Sequence, residues 1–128
     1  MFHIVFLFFL GLTPLKADEN GEVALLCNWQ PVVTLPDRMK VFGLIFKDGQ
    51  VEILGLDAEG DVRGSSLGVY IEDDAYWYLE GAPLFGRNTM DRQTLISAEG
   101  DVRCDHSQSP ASLRSSLKVI GKKFRNID

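Results

Sequence analysis

This 128-residue sequence predicts an all-β domain, an antiparallel meander that closes as a small barrel or sandwich and ends in a short helix. Short runs of β-favouring residues recur at regular intervals, with turn-forming residues between them. One turn is Asp48-Gly49, between runs at 39–46 and 50–56, and this dipeptide between two such runs is a strong hairpin signal. Helical periodicity occurs only near the end of the chain.

The first residues have the order of a secretory signal. Residues 4–12 are apolar and uncharged, Thr13-Pro14 interrupts the run, and Ala17 is a small residue at the expected cleavage site. The run is shorter than the about 20 apolar residues of a membrane-spanning helix, so retention as an anchor is the weaker alternative. We therefore expect a periplasmic or secreted protein with three parts: a signal peptide at 1–17, a β-barrel-like domain at 18–106 and a basic amphipathic tail at 107–128.

Charge and cysteine content narrow the function classes. Without Lys16 of the signal, 12 cationic side chains face 18 acidic ones, a net charge of −6 that disfavours nucleic-acid binding. Export would expose Cys27 and Cys104 to oxidising conditions, so we predict a disulfide between the start of the domain and its last strand, with two buried thiols as the alternative. The mature part has one histidine, His106, and lacks metal-ligand spacing, so no metal or cofactor is expected.

Further strands follow from apolar runs and alternation. Residues 22–29 contain a first run, and residues 67–71 and 75–79 predict another hairpin around an acidic turn. Side chains alternate across a strand, so Trp77 must face away from its neighbouring tyrosines. Either the tryptophan or the tyrosine pair faces solvent, and an exposed aromatic pair would be a binding anchor. We favour the core for Trp77.

An exact internal repeat occurs forty positions apart. Ala-Glu-Gly-Asp-Val-Arg occupies residues 58–63 and again 98–103. Each copy predicts a hairpin loop, because glycine allows positive φ and aspartate stabilises turns through side-chain hydrogen bonds. A calcium loop beginning at Asp57 is the alternative, but Gly68 occupies the position where such a loop needs a bidentate glutamate.

The last segment has helical spacing and a basic charge. Residues 113–128 carry five cations and one acid, whereas residues 18–106 carry seven cations and 17 acids. A serine precedes the first apolar position and Gly121 weakens the predicted helix. We expect the segment to dock on its own domain, with contact to an anionic membrane or a partner as the alternative. Its apolar positions are Leu113, Leu117, Ile120 and Phe124.

One motif suggests catalysis but lacks its context. Residues 64–68 match the G-x-S-x-G nucleophile elbow, which belongs to a strand-to-helix turn in a large α/β sheet. Asp105 and His106 follow later, but adjacent strand residues point to opposite faces and cannot act as a pair. A non-enzymatic protein is therefore expected.

The layout resembles a group of small exported bacterial β-proteins with cysteines in the first and last strands. Their hairpin before the final cysteine is similar to Met90-Asp91-Arg92-Gln93-Thr94, and Leu95 stands where that pattern has glycine. This resemblance implies an exported barrel and no particular activity.

A second set of residues resembles the periplasmic inhibitors of C-type lysozyme. The serine-glycine-tyrosine loop and tryptophan of that family are similar to Ser66, Gly68, Tyr70 and Trp77, which are the candidate binding residues. The resemblance implies a barrel that binds a basic lysozyme, and an acidic body could complement such a partner. We expect an envelope protein that acts as a binding or interaction module, with a cationic envelope protein as the candidate partner and lysozyme inhibition as the alternative.

Overall fold

The computed structural model describes residues 21–31, 34–81 and 83–127, so the predicted signal segment lies outside the described residues. Seven strands and one long helix lie within these ranges, in agreement with the predicted all-β class and terminal helix. The strands are β1 (Val23–Trp29), β2 (Val41–Lys47), β3 (Gln50–Leu56), β4 (Val62–Glu72), β5 (Tyr76–Leu79), β6 (Thr89–Asp91) and β7 (Val102–Ser107). The helix is α1 (Pro110–Ile127).

The strands form one antiparallel sheet in the order β6-β5-β4-β3-β2-β1-β7, which curls into a half-barrel. Its two edge strands are linked by a short segment between them in sequence. Ser97 pairs with Met90 of β6, and Ile96 pairs with Arg103 of β7. The two edges of the half-barrel are therefore linked through two single bridges, and β6 does not pair directly with β7.

Strand alternation places an apolar cluster inside the curl. Phe46 lies at its centre, stacked on Trp77 with ring centroids 4.7 Å apart. The ring of Tyr70 meets Phe46 edge-on at 4.9 Å. Trp77 is 3% exposed, so the core placement favoured from the sequence is the one the structure shows.

The predicted disulfide is present. Cys27 of β1 and Cys104 of β7 lie directly opposite each other in the strand register and are bonded. Both cysteines belong to the inner cluster, so the covalent link joins the first and last strands inside the core.

Helix α1 covers part of the outer face of the sheet. Leu113 and Leu117 are fully buried against outward side chains of the sheet such as Ile45 and Leu54. The docking that we expected from the sequence is therefore observed. The helix begins at Pro110, where the Ser109 hydroxyl accepts a hydrogen bond from the Ser112 backbone N–H at 3.0 Å. Gln108 and Ser109 form the short turn that connects β7 to the helix.

Both copies of the repeat form hairpin loops, as predicted. The Gly60 N–H donates to the Asp57 carbonyl at 2.9 Å, and the Gly100 N–H donates to the Ser97 carbonyl at 2.8 Å. Both glycines have positive φ, 82° and 78°. The two loops therefore share this turn but close differently, because the Asp57 N–H donates to the Asp61 carbonyl whereas the Ser97 N–H donates to the Val102 carbonyl.

Only the first loop supports the helix. A Cβ atom on Gly121 would lie 2.0 Å from the Gly60 carbonyl oxygen, so the two backbones touch where the helix crosses this turn. Arg125 secures the contact, because its side chain donates to the Glu59 carbonyl at 3.0 Å and to the Asp61 carboxylate at 2.9 Å.

Three turn aspartates predict a loss of stability in acid. The Arg63 side chain lowers the pKa of Asp57, and backbone N–H donors of the turns lower the pKa of Asp73 and Asp91. A depressed folded-state pKa stabilises the protein above the unfolded value of about 3.9, and this contribution is lost as the pH falls through the folded value. We expect the free energy of unfolding to drop between about pH 5 and pH 2.

The test variant replaces Asp57, Asp73 and Asp91 with asparagine. Its free energy of unfolding, measured by urea titration at each pH, should depend less on pH than that of the wild type. Asp105→Asn changes an exposed aspartate of β7, serves as the control and should keep the wild-type slope. Equal slopes for all three proteins would contradict the assignment.

Candidate functional site

The residues expected to form a binding site lie on opposite faces of β4 and its neighbours. Ser66 pairs in register with Glu52, whose carboxylate lies 3.7 Å from the Arg114 guanidinium of α1, so Ser66 is on the helix-covered face. Tyr70 and Trp77 point inward and pack on the inner cluster. The structure therefore does not bring the four candidate residues together.

A β-bulge explains the separation. Val51 pairs with Gly68 and Glu52 pairs with Ser66, which leaves Leu67 as an extra residue in β4. Such an extra residue reverses the alternation for everything beyond it. Gly68 has φ 104°, and its N–H donates to the Ser66 hydroxyl at 3.1 Å, so both residues have roles in the bulge.

Trp77 has structural contacts as well as stacking. Its indole N–H donates to the Glu72 carboxylate at 3.1 Å, and the Arg92 guanidinium lies 5.5 Å from the ring centre. Burial raises the pKa of the Tyr70 hydroxyl, consistent with its packing against the core. The tryptophan ring is therefore inaccessible to a partner, and Tyr70 is only partly accessible.

Beyond the bulge, four large side chains project from the outer face of β4 and β5. We call Val69, Ile71, Tyr76 and Tyr78 the tyrosine face. The exposed fractions are 46% for Val69, 56% for Ile71 and 36% for Tyr76. Ile71 pairs directly with Tyr78, so the aliphatic and aromatic rows are neighbours. Contiguous exposed apolar side chains of this kind are typical of interaction sites.

The two tyrosines are held in place by the β4–β5 turn. The Tyr78 hydroxyl donates to the Asp73 carboxylate at 2.9 Å, and this bond raises the pKa of Tyr78. The other carboxylate oxygen of Asp73 accepts the backbone N–H groups of Ala75 and Tyr76, each at 2.8 Å. The ring centroids of Tyr76 and Tyr78 are 5.9 Å apart. The aromatic pair is therefore ordered before any partner binds, which lowers the entropy cost of binding.

A groove of about 560 Å³ adjoins the tyrosine pair on the outer face of β5 and β6. Its polar lining includes Arg87, Thr89, Asp91 and Thr94. The Arg87 guanidinium lies 3.6 Å from the Glu99 carboxylate, so its charge is partly compensated. Mixed aromatic and polar lining suits recognition of a partner surface with both apolar and charged groups.

Carboxylates surround the tyrosine face. Asp73 and Asp74 form the β4–β5 turn, Glu80 follows β5, and Asp91 lies opposite Tyr76 in β6. All except Asp91 belong to exposed residues. The face is therefore an apolar and aromatic patch inside an acidic rim.

A second groove, of about 590 Å³, lies beside the start of α1 and includes Ser66. Both cations of its lining are paired: Lys47 lies 3.2 Å from Glu22, and Arg114 lies 3.7 Å from Glu52.

The remaining motifs do not assemble a reaction centre in the described part of the chain. The G-x-S-x-G segment lies inside β4 and not at a strand-to-helix turn. No cluster of three histidine, cysteine or carboxylate side chains with metal-binding geometry occurs among the described residues. In the same ranges, no helix has the length and apolar character needed to cross a bilayer.

Comparison of the chain with protein-family models, with curated proteins and with solved structures gives no match. The fold and the exposed face of the described residues define the class: a small disulfide-linked β half-barrel with a docked helix and an aromatic patch that has an acidic rim.

Proposed function

We propose that the protein is an exported, non-enzymatic envelope protein that acts as a binding module, and that its partner contacts the tyrosine face. The observation that carries this proposal is the contiguous row of exposed Val69 and Ile71 beside Tyr76 and Tyr78. Solvent exposure of such a row is costly, and preordered tyrosines are frequent anchors of interfaces.

Two further features support an extracytoplasmic location. Residues 4–12 have the apolar character of a signal segment, and Cys27 and Cys104 form a disulfide. Stable structural disulfides belong mainly to oxidising compartments. Acidic side chains around the tyrosine face favour a cationic partner, because complementary charge accelerates association and excludes like-charged competitors.

The test compares the wild type and two variants in their capture of envelope components. Ile71→Ser/Tyr76→Ser removes two anchors of the tyrosine face, and Met39→Ser removes an exposed large apolar side chain elsewhere. The immobilised mature protein should lose at least about tenfold in affinity for its captured partner with the first variant and keep wild-type affinity with the second. Capture that is the same for all three proteins would overturn the proposal.

Inhibition of a basic lysozyme is the second candidate, and the acidic rim favours it. A purified basic lysozyme serves as the defined probe in the same assay, with its cell-wall-lysing activity as the readout. If the contact uses the residues that resemble the inhibitor family, Ser66→Ala/Tyr70→Phe should relieve inhibition. If it uses the tyrosine face, Ile71→Ser/Tyr76→Ser should relieve it instead. Full lysozyme activity at saturating wild-type protein removes this candidate and leaves the first proposal standing.

A further inference from the structure

Helix α1 carries an exposed apolar side chain that is surrounded by basic residues. Val119 is 58% exposed. Lys118, Lys122 and Lys123 lie beside it and are also exposed. We call these four residues the lysine ridge. They lie opposite the helix face that packs on the sheet.

The ridge lysines differ from the other cations of the helix. Arg114 and Arg125 are paired with Glu52 and Asp61 at the two ends of α1. The three ridge lysines form no ion pair with any described residue. The ridge is therefore a patch of uncompensated positive charge on an acidic molecule.

The lysine ridge and the tyrosine face cannot meet within one molecule. Arg125 fixes the end of α1 at the β3–β4 turn, which adjoins the first residue of β4. Ile71 lies near the other end of β4. Its distance from Val62, the first residue of the strand, is about 30 Å at roughly 3.3 Å per strand residue. Each patch therefore faces solvent at a separate place on the surface.

We propose that the lysine ridge of one molecule docks on the tyrosine face of a second copy, which gives head-to-tail association. Val119 meets the apolar row of the tyrosine face, and the lysines meet the carboxylates of its rim. The charge complementarity of the two patches argues for this occupant, since each supplies what the other lacks. This inference rests on the proposed function, because it names the partner of the same face.

Two different surfaces joined in this way form a heterologous interface, which leaves one free patch at each end of a pair. Association should therefore continue beyond the dimer as the concentration rises. It should also weaken at high salt, since exposed charges are screened over about 8 Å at physiological ionic strength.

The test is a charge-swap cycle followed by sedimentation velocity of the mature protein. Lys118→Glu/Lys122→Glu/Lys123→Glu reverses the ridge, and Asp74→Lys/Glu80→Lys reverses the rim. Each set alone should weaken self-association at least about tenfold. A chain that carries both sets should associate again, because the reversed ridge then faces a reversed rim.

Arg103→Glu on β7 is the charge control and should associate like the wild type. A wild-type protein that stays monomeric at high concentration, or combined reversals that fail to restore association in a folded chain, would overturn this inference. The proposed function would survive either result if capture of an envelope component still depended on Ile71 and Tyr76. Self-association that Ile71→Ser/Tyr76→Ser leaves unchanged would also overturn this inference, because the tyrosine face would then not be the docking site.

Discussion

Replacing Cys27 and Cys104 by alanine is expected to lower the free energy of unfolding by about 4 kcal/mol. The disulfide closes a loop with a sequence separation of 77, and a cross-link of that length strongly restricts the unfolded chain. Both sulfur atoms also lie in the inner cluster, where their loss removes packing. Urea unfolding of the oxidised wild type and of the double variant measures the difference.

Wild-type protein unfolded in the presence of a thiol reductant is the natural control for the cysteine variant. It should approach the stability of the double variant, because both lack the covalent link between β1 and β7. A difference between oxidised wild type and double variant below about 1 kcal/mol would contradict the expected role of the cross-link.

Gly121→Ala is expected to destabilise the protein by about 3 kcal/mol, although the same change in an exposed helix would stabilise it by about 1 kcal/mol. The added Cβ would lie 2.0 Å from the Gly60 carbonyl oxygen and 3.2 Å from a methyl group of Leu56. The Gly60 oxygen belongs to the backbone and cannot rotate away as a side chain can, so the helix or the turn must shift. The midpoint temperature of thermal unfolding shows whether the variant is less or more stable than the wild type.

Ser115→Ala is the matched helix control, because Ser115 lies on the exposed side of α1. This variant should unfold at or slightly above the wild-type temperature, since alanine has the higher helix propensity. A stabilising effect of Gly121→Ala would show that the helix does not lie as close to the β3–β4 turn as the structure places it.

Local signals predicted much of the sheet. Asp48 and Gly49 both adopt positive φ, 52° and 78°, in the hairpin that their sequence predicted. The repeated loops formed where glycine and aspartate favour a reversal. Such turns depend on the intrinsic preferences of a few consecutive residues, so a single sequence contains the necessary information.

The sequence patterns did not predict the long-range contacts. Gly121 weakened the predicted helix, yet the structure uses its missing side chain to bring α1 against Gly60. Leu95 has φ 61°, a conformation that favours glycine, but it is a buried member of the inner cluster. At both positions tertiary packing determines which residue fits, although the local backbone conformation favours another residue.

The sequence likewise predicted one part of the candidate site and missed another. Alternation identified the tyrosine pair as the surface-facing alternative to Trp77, which is correct. It could not show the bulge at Leu67, which changes the faces of the residues beyond it, or the register that sets Ile71 beside Tyr78. The tyrosine face therefore required the strand pairing to be known.

The position of β1 constrains the order in which the molecule can form. This strand pairs with β2 on one side and with β7 on the other, so the ladder is incomplete until nearly the whole chain has been synthesised. Hairpins β2–β3 and β3–β4 involve neighbouring segments and can form early, whereas the closing pair has high contact order. A chain interrupted before Val102 would retain β1 as an unpaired edge with a reactive thiol, ready to pair or cross-link with another chain.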